Sequence, residues 1–337
     1  MLGSWLAAWI YFLDVSLGSL AVLLMHRLTG GVWILPIERY LRAALVPLPL
    51  LSILFVPVLF ASFHLFPWST QTAPGGPMSF KTAYLAAGPF IARSLIALAA
   101  WCLLAWRLRG RRAPGAGLCA AGLIVIALSV TWSAVDWIGS LEPQWSSSIL
   151  GLVDITAQGL AAVAFVTLCL TWRRTPEPPG AEECGDLGNL LLTFVMTWAY
   201  LAFVQFLIIW AEDLPRETNW YLPRVQQSWV YLSLIVVCGQ FALPFALLLF
   251  RRLKRDPRGL ALIAALLLLA HAGYVFWLIV PSLAPQGWNL AWTDPVALVC
   301  IGVPWVYLVS RDLARATPGP GLPAPDTSPH PGAVHVR

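Results

Sequence analysis

Charge is scarce in this 337-residue chain. Asp, Glu, Lys and Arg together make up 11% of it, against roughly a quarter in soluble domains. Lysine is nearly absent, with only Lys81 and Lys254. The two-domain soluble protein that length alone would suggest is therefore set aside. Paired cysteines are missing too. Cys102, Cys119, Cys169, Cys184, Cys238 and Cys300 show no CxxC-type spacing, which speaks against a zinc or iron–sulfur site and leaves them as small core residues. Histidines matched in depth are also lacking. A bis-histidine haem needs two imidazoles at one level on facing helices. His26 falls at one end of the first apolar run, His64 at the far end of the second and His271 near the middle of the eighth, while His330 and His335 lie in the tail. At about 1.5 Å per residue these levels differ by roughly 10 Å or more. The expectation is a chain with no haem, iron or zinc of its own. The net charge of +5 requires no nucleic-acid partner, because the arginines sit between apolar runs.

What is abundant is apolar sequence, 59% of the chain. It predicts an all-α polytopic membrane protein. Nine runs of about 20 residues are long enough to cross a bilayer, approximately 4–25, 44–66, 84–106, 118–140, 148–172, 187–210, 228–250, 259–280 and 295–313. The start does not read as a signal peptide, since it lacks a basic n-region and Asp14 interrupts the apolar core. Basic residues crowd alternate connections: Arg27, Arg39 and Arg42; Arg107, Arg109, Arg111 and Arg112; Arg173 and Arg174; Arg251, Arg252, Lys254, Arg255 and Arg258; Arg311 and Arg315. The other connections hold Lys81, Arg216 and Arg224. By the positive-inside rule the crowded side is cytoplasmic, with the N-terminus outside and the C-terminus inside. Trp33, Trp68, Trp106, Trp145, Trp172, Trp210, Trp220, Trp288 and Trp292 fall near run ends and read as interfacial anchors. Residues 316–337 read as a disordered, Pro/Gly-rich cytoplasmic tail.

Against this background the intramembrane polar residues stand out. Ser129, Ser133, Asp136 and Ser140 recur at helical spacing as one stripe, and Asp154 and Gln158 share a face of the next helix. A hairpin would hold Asp136 and Asp154 at similar depth on facing helices in the outer half, with Arg93 within reach of either. An ionised carboxylate in lipid is costly and usually functional. Asp14 lies on a face with Tyr11, Gly18 and Ala21, pointing along small residues toward a neighbouring helix. Arg93 is either the neutraliser of a buried acid or a ligand group. Glu142 falls in the outer turn, where solvation is the simpler reading. Gln158, Gln205 and Gln240 fit interhelical hydrogen bonding, and His271 with Tyr274 fits either a proton path or ordinary packing.

Longer strings carry a family resemblance. SLGSLAVLLMHRLTGGVW, HLFPW, GPFIARSLI, AVDWIGSLEPQWSSSILG, DLGNLLLTFVMTWAYLAFVQFLIIWAEDLP and FALPFALLLFRRLKRDPRGL resemble a membrane subunit of bacterial alternative complex III, a quinol oxidoreductase. The likeness is to the second of its two large integral subunits, related to polysulfide-reductase-type membrane anchors, and runs to about residue 313. It implies two four-helix bundles plus a peripheral helix in the bacterial cytoplasmic membrane. It also implies partners: a sister quinol-binding membrane subunit, an iron–sulfur subunit and multihaem cytochrome c subunits. The subunit itself would lack a redox centre and offer polar half-channels for protons, with Arg93, Asp136, Glu142 and Gln205 at matching positions. Relatives typically have ten helices, and the one without a counterpart here is the first. They often carry His-His where this chain has His26-Arg27, and a histidine and an acid are expected near Gln240 and Gly273.

Three readings of function remain open. The first is a cofactor-free scaffold and proton conduit within a quinol-oxidising complex. The second gives the chain its own quinol site in the outer half, with Asp136 or Asp154 accepting the hydroxyl proton. The third is a stand-alone secondary transporter, which would favour broken helices around a midplane site. Pro89 and Pro244 interrupt two runs, although they form no convincing pair.

Overall fold

Lipid offers no hydrogen-bond partners, so a chain crossing it must satisfy its backbone within each segment. The computed structural model describes residues 2–31, 33–69, 83–110, 114–172, 179–287 and 291–315, and among these all regular structure is helical. Among the described residues nine helical spans are long and apolar enough to cross a membrane, and the chain is an all-α polytopic membrane protein. They are α1 (Leu2–Thr29), α2 (Glu38–Phe60), α3 (Ala87–Arg109), α4 (Ala116–Leu141), α5 (Leu150–Trp172), α6 (Ala181–Glu212), α7 (Trp229–Leu249), α8 (Pro257–Leu283) and α9 (Thr293–Arg315).

Two spans depart from regular helix for identifiable reasons. Pro47 and Pro57 supply no backbone N–H, so α2 proceeds as Glu38–Ala44, Leu48–Leu54 and Val56–Phe60. The junctions close with tighter bonds such as Val58 N to Phe55 O at 2.9 Å, and the backbone keeps its helical course. In α7 a π-helical turn spans Val237–Ala242, just before Pro244. Pro89, by contrast, lies in the first turn of α3. A first-turn N–H has no intrahelical acceptor, so this proline starts the helix rather than interrupting it.

α1, α2, α3 and α4 pack as one group of four, α5 to α8 as a second, and α9 lies against α1 and α2. Contacts of α5 with α1 and α4, and of α8 with α1, join the groups. The most apolar windows of α1 and α5 are 78% and 67% buried, against 22% for α6, so α1 and α5 form the core and α6 faces outward. Their close approach depends on Gly18: a Cβ there would lie 1.9 Å from the Gln158 carbonyl oxygen.

The spans have two distinct ends. At one, Arg27 meets Glu38 at 2.7 Å and Arg109 meets Asp312 at 2.6 Å, while Lys254 Nζ donates to Asn189 Oδ1 at 2.6 Å. This is the basic end. At the other, the hairpin end, the α4–α5 turn lies beside Trp68, which donates to Ser140 Oγ at 3.1 Å. The connection after α6 contains a helix, Pro215–Val225, that the apolar pattern did not foretell. Arg111, Arg112, Arg173, Arg174, Lys81, Trp288 and the tail from residue 316 lie outside the described residues.

The tryptophans divide. Trp106, Trp172, Trp210 and Trp292 are exposed on the helical body, as anchors are. Trp145 and Trp220 are not anchors. They are buried and stack on each other at 4.6 Å, because the helix Pro215–Val225 folds back over the α4–α5 turn.

Candidate functional site

The polar stripe of α4 is buried along its length, and three of its four members have hydrogen-bond partners among the described residues. Ser129 Oγ accepts from Trp101 Nε1 at 2.8 Å. Ser140 Oγ donates to the Asp136 carbonyl. Asp136 itself receives both arms of Arg93, from Nε at 2.8 Å and from Nη2 at 2.9 Å. The guanidinium lies 3.7 Å from the centroid of the Tyr84 ring. Burial raises the Tyr84 pKa, and the Asp136 charge raises it further against the opposing pull of Arg93. The phenol therefore stays protonated and hydrogen-bonds Asp136. A bidentate, stacked guanidinium of this kind is a strong and geometrically selective partner. Beside it opens a pocket of about 370 Å³ lined by Tyr84, Ser140, Pro143, Trp145, Ser147 and Leu150 among others.

Asp154 does not join this pair. Its Oδ2 accepts from Gln158 Nε2 at 3.0 Å, and with Asp14 it lines a small void between α1, α4 and α5. The two acids do lie on helices packed together, α4 and α5, with Asp136 taken by Arg93 as expected, but they form no single unit: Asp154 belongs with Asp14. The cause is packing, since α5 is covered on most sides and its polar face meets the small-residue face of α1 at Gly18. His271 on α8 completes the group, with Nε2 3.1 Å from Asp14 Oδ2. Its ring packs beside Tyr11 and Tyr274, with centroids at 5.8 and 5.9 Å. Asp14, Asp154, Gln158 and His271 are all at least 95% buried. Among the described residues no lysine or arginine forms an ion pair with either acid. Asp154 Oδ1 and His271 Nδ1 have no hydrogen-bond partner there. Two carboxylates and an imidazole so arranged form one electrostatic unit rather than three separate sites.

The remaining candidates lie apart from this cluster. Glu142 is not merely solvated. It accepts from Ser282 Oγ at 2.5 Å and pairs with Arg224 Nη1 at 3.5 Å. Arg224, which from sequence was only a loop cation, is fully buried. It donates to the carbonyls of Trp277, Leu278 and Trp220 and to Ser282 Oγ, and it lies 3.5 Å from the Trp220 ring centroid. Burial pulls its pKa down to about 10, with Glu142 opposing, so it stays charged at neutral pH. The signal available was Trp220 and Arg224 four apart on an amphipathic helix. Gln205 bridges elements as expected, accepting from Ser147 Oγ at 3.2 Å and donating to Tyr221 at 3.3 Å. Gln240, in the π-helical turn, is buried with neither amide atom bonded among the described residues, which departs from the expected interhelical role. At the basic end, His26 packs edge-on to Trp33 at 5.3 Å and Arg27 is taken up by Glu38. Neither reaches the central cluster. No protein-family model matches the sequence, and no curated protein matches it.

Proposed function

We propose that this chain is an integral subunit of a respiratory quinol oxidoreductase of the alternative complex III type, in a bacterial cytoplasmic membrane. Within it the chain acts as scaffold and proton conduit, with no redox centre of its own. The observation that carries the proton role is the Asp14–His271–Asp154 cluster, buried among α1, α5 and α8 with no lysine or arginine of the described residues paired to it. Two uncompensated carboxylate charges are prohibitive in such surroundings, so the cluster has to hold protons, and groups that hold protons within reach of one another can pass them. Arg93 and Asp136 are a poorer relay, because both arms of the guanidinium fix the carboxylate. The resemblance of the long strings supports the complex, with the sister quinol-binding, iron–sulfur and multihaem cytochrome c subunits as partners. The basic end is taken as cytoplasmic from the arginine distribution.

The test is carried out in the assembled complex, reconstituted in vesicles. Asp14→Asn and Asp154→Asn should assemble normally while quinol turnover, or its coupling to proton movement, falls. Unchanged turnover and coupling in both variants would remove the proton role. A second reading draws on the pocket beside Tyr84 and Asp136. Its aromatic and hydroxyl lining at the hairpin end suits a quinol headgroup, with Asp136 behind the lining Tyr84 phenol as the proton acceptor it would reach through that hydroxyl. Competition of a quinol analogue with substitutions at Ser140 or Tyr84, read as a change in affinity, distinguishes it from the first.

A further inference from the structure

The seam between α1, α4 and α5 encloses a void of about 10 Å³, walled by Asp14, Ser133, Asp154 and Gln158 with Trp101 and Trp137. Two polar atoms on this wall lack a hydrogen-bond partner among the described residues: Ser133 Oγ and Asp154 Oδ1. Their residues are only 3% and 5% exposed, so bulk solvent does not satisfy them. Leaving a buried polar group without a hydrogen bond is costly, and leaving a charged one so is costlier still. A water molecule needs roughly 10–15 Å³ of such space and two to four polar partners. The void has the size for one water and the partners to hold it.

We propose that one ordered water occupies this void, bridging Ser133 of α4 to Asp154 of α5 beside the Asp14 carboxyl of α1. It connects the central acids to the polar stripe of α4. One turn beyond Ser133 that stripe reaches Asp136, with Arg93, Tyr84 and the pocket at the hairpin end. The role of this water, though not its existence, rests on the proton-conduit reading. A proton leaving the Asp154 carboxyl joins the water as the water releases one of its own to the Asp14 carboxylate on the same wall, while Ser133 Oγ holds the water in place. Each hand-over breaks one O–H bond and makes another, and a single excess proton is carried throughout. The bridge explains why a serine hydroxyl is buried at this level of α4 with no protein partner.

The experiment is X-ray hydroxyl-radical footprinting of the full chain in lipid nanodiscs, read by mass spectrometry, with a rapid-mixing pulse of H₂¹⁸O. Radicals form from water and oxidise side chains touching a bound water even when these are buried. Trp137, 3% exposed and on the wall, should be oxidised and should take up the heavy isotope slowly. Trp9, 0% exposed and bonded to the Leu51 carbonyl at 2.7 Å, should not. Ser133→Val removes the hydroxyl and fills the space, so labelling of Trp137 should fall several-fold. Asp154→Asn keeps a polar partner and should retain it. Trp137 as unreactive as Trp9 in the unmodified chain overturns the proposal. So does labelling that vanishes when sodium replaces potassium, which would put a cation in the void. The footprint reads water rather than proton flux. A labelled Trp137 with unchanged coupling in Asp154→Asn leaves the water standing and removes only its role.

Discussion

Replacing Arg93 with Met should destabilise the chain far more than replacing Arg93 and Asp136 together. The Asp136 side chain is 1% exposed and the Arg93 side chain 19%. Removing the guanidinium strands a buried carboxylate and gives up the contact with Tyr84, and breaking such a pair costs about 3–5 kcal/mol. Asp136→Leu leaves the more exposed partner behind. Arg93 can extend its head toward water along its aliphatic stem, so this loss should be smaller, about 2 kcal/mol. Converting both members to apolar residues of similar volume is often neutral, because neither charge then needs desolvating. The double variant should therefore fall within about 1 kcal/mol of the parent, giving a coupling energy of about 4 kcal/mol or more. The assay is SDS-induced unfolding in mixed micelles, followed by tryptophan fluorescence across the four chains of the double-mutant cycle. Single effects that simply add, with coupling near zero, would refute the view that these side chains form one buried ion pair. They would also reopen Asp136 as a relay.

Three further outcomes follow from the packing and the site. Gly18→Ala puts a methyl where only 1.9 Å separates the added carbon from the Gln158 carbonyl, so α1 and α5 must part. The expected loss is about 1–3 kcal/mol in the same unfolding assay, and an unperturbed midpoint would mean the helices are not so close. Tyr221 titrates at about 12 in the fold, raised chiefly by burial. Its contribution is fully present below pH 10 and is lost as pH rises through about 12. Tyr221→Phe should flatten that alkaline decline, by up to about 1.4 kcal/mol per pH unit, and an unchanged slope counts against the buried phenol. For topology, cysteines placed at Gly110 and at Asp213 in a cysteine-free background should differ in intact cells. An impermeant maleimide should label position 213 and spare 110, and strong labelling at 110 would invert the orientation.

The architecture was largely legible because lipid imposes one simple demand, about 20 apolar residues per crossing. All nine spans lie where the apolar runs predict, with ends shifted by several residues in α2 and α6. The helix Pro215–Val225 escaped because its polar stretch RETN is followed by only three apolar residues, WYL, far too few to read as a crossing. For the same reason Arg224 passed as a loop cation and Trp220 as an anchor. Sequence could say that Asp14 points along a stripe of small residues. It could not say which helix lies opposite, since Gly18 permits close approach from any partner. The pairing of Asp14 with His271 depends on α1 meeting α8, which are separated by most of the chain. Arg93 was legible as a partner for an acid, but its choice of Asp136 over Asp154 is a matter of helix rotation. Short-range spacing does not encode that rotation.

The central claim is that Asp14 and Asp154 keep a proton inside the membrane at neutral pH. Infrared spectroscopy of the chain in lipid reads this directly, because a protonated carboxyl has a C=O stretch well separated from carboxylate bands. The account predicts such a band at neutral pH, shifted by deuteration, abolished or displaced in Asp14→Asn and in Asp154→Asn, and retained in Asp136→Asn. A spectrum with no protonated-carboxyl band, or one whose band is unchanged in both Asp14→Asn and Asp154→Asn, would contradict it.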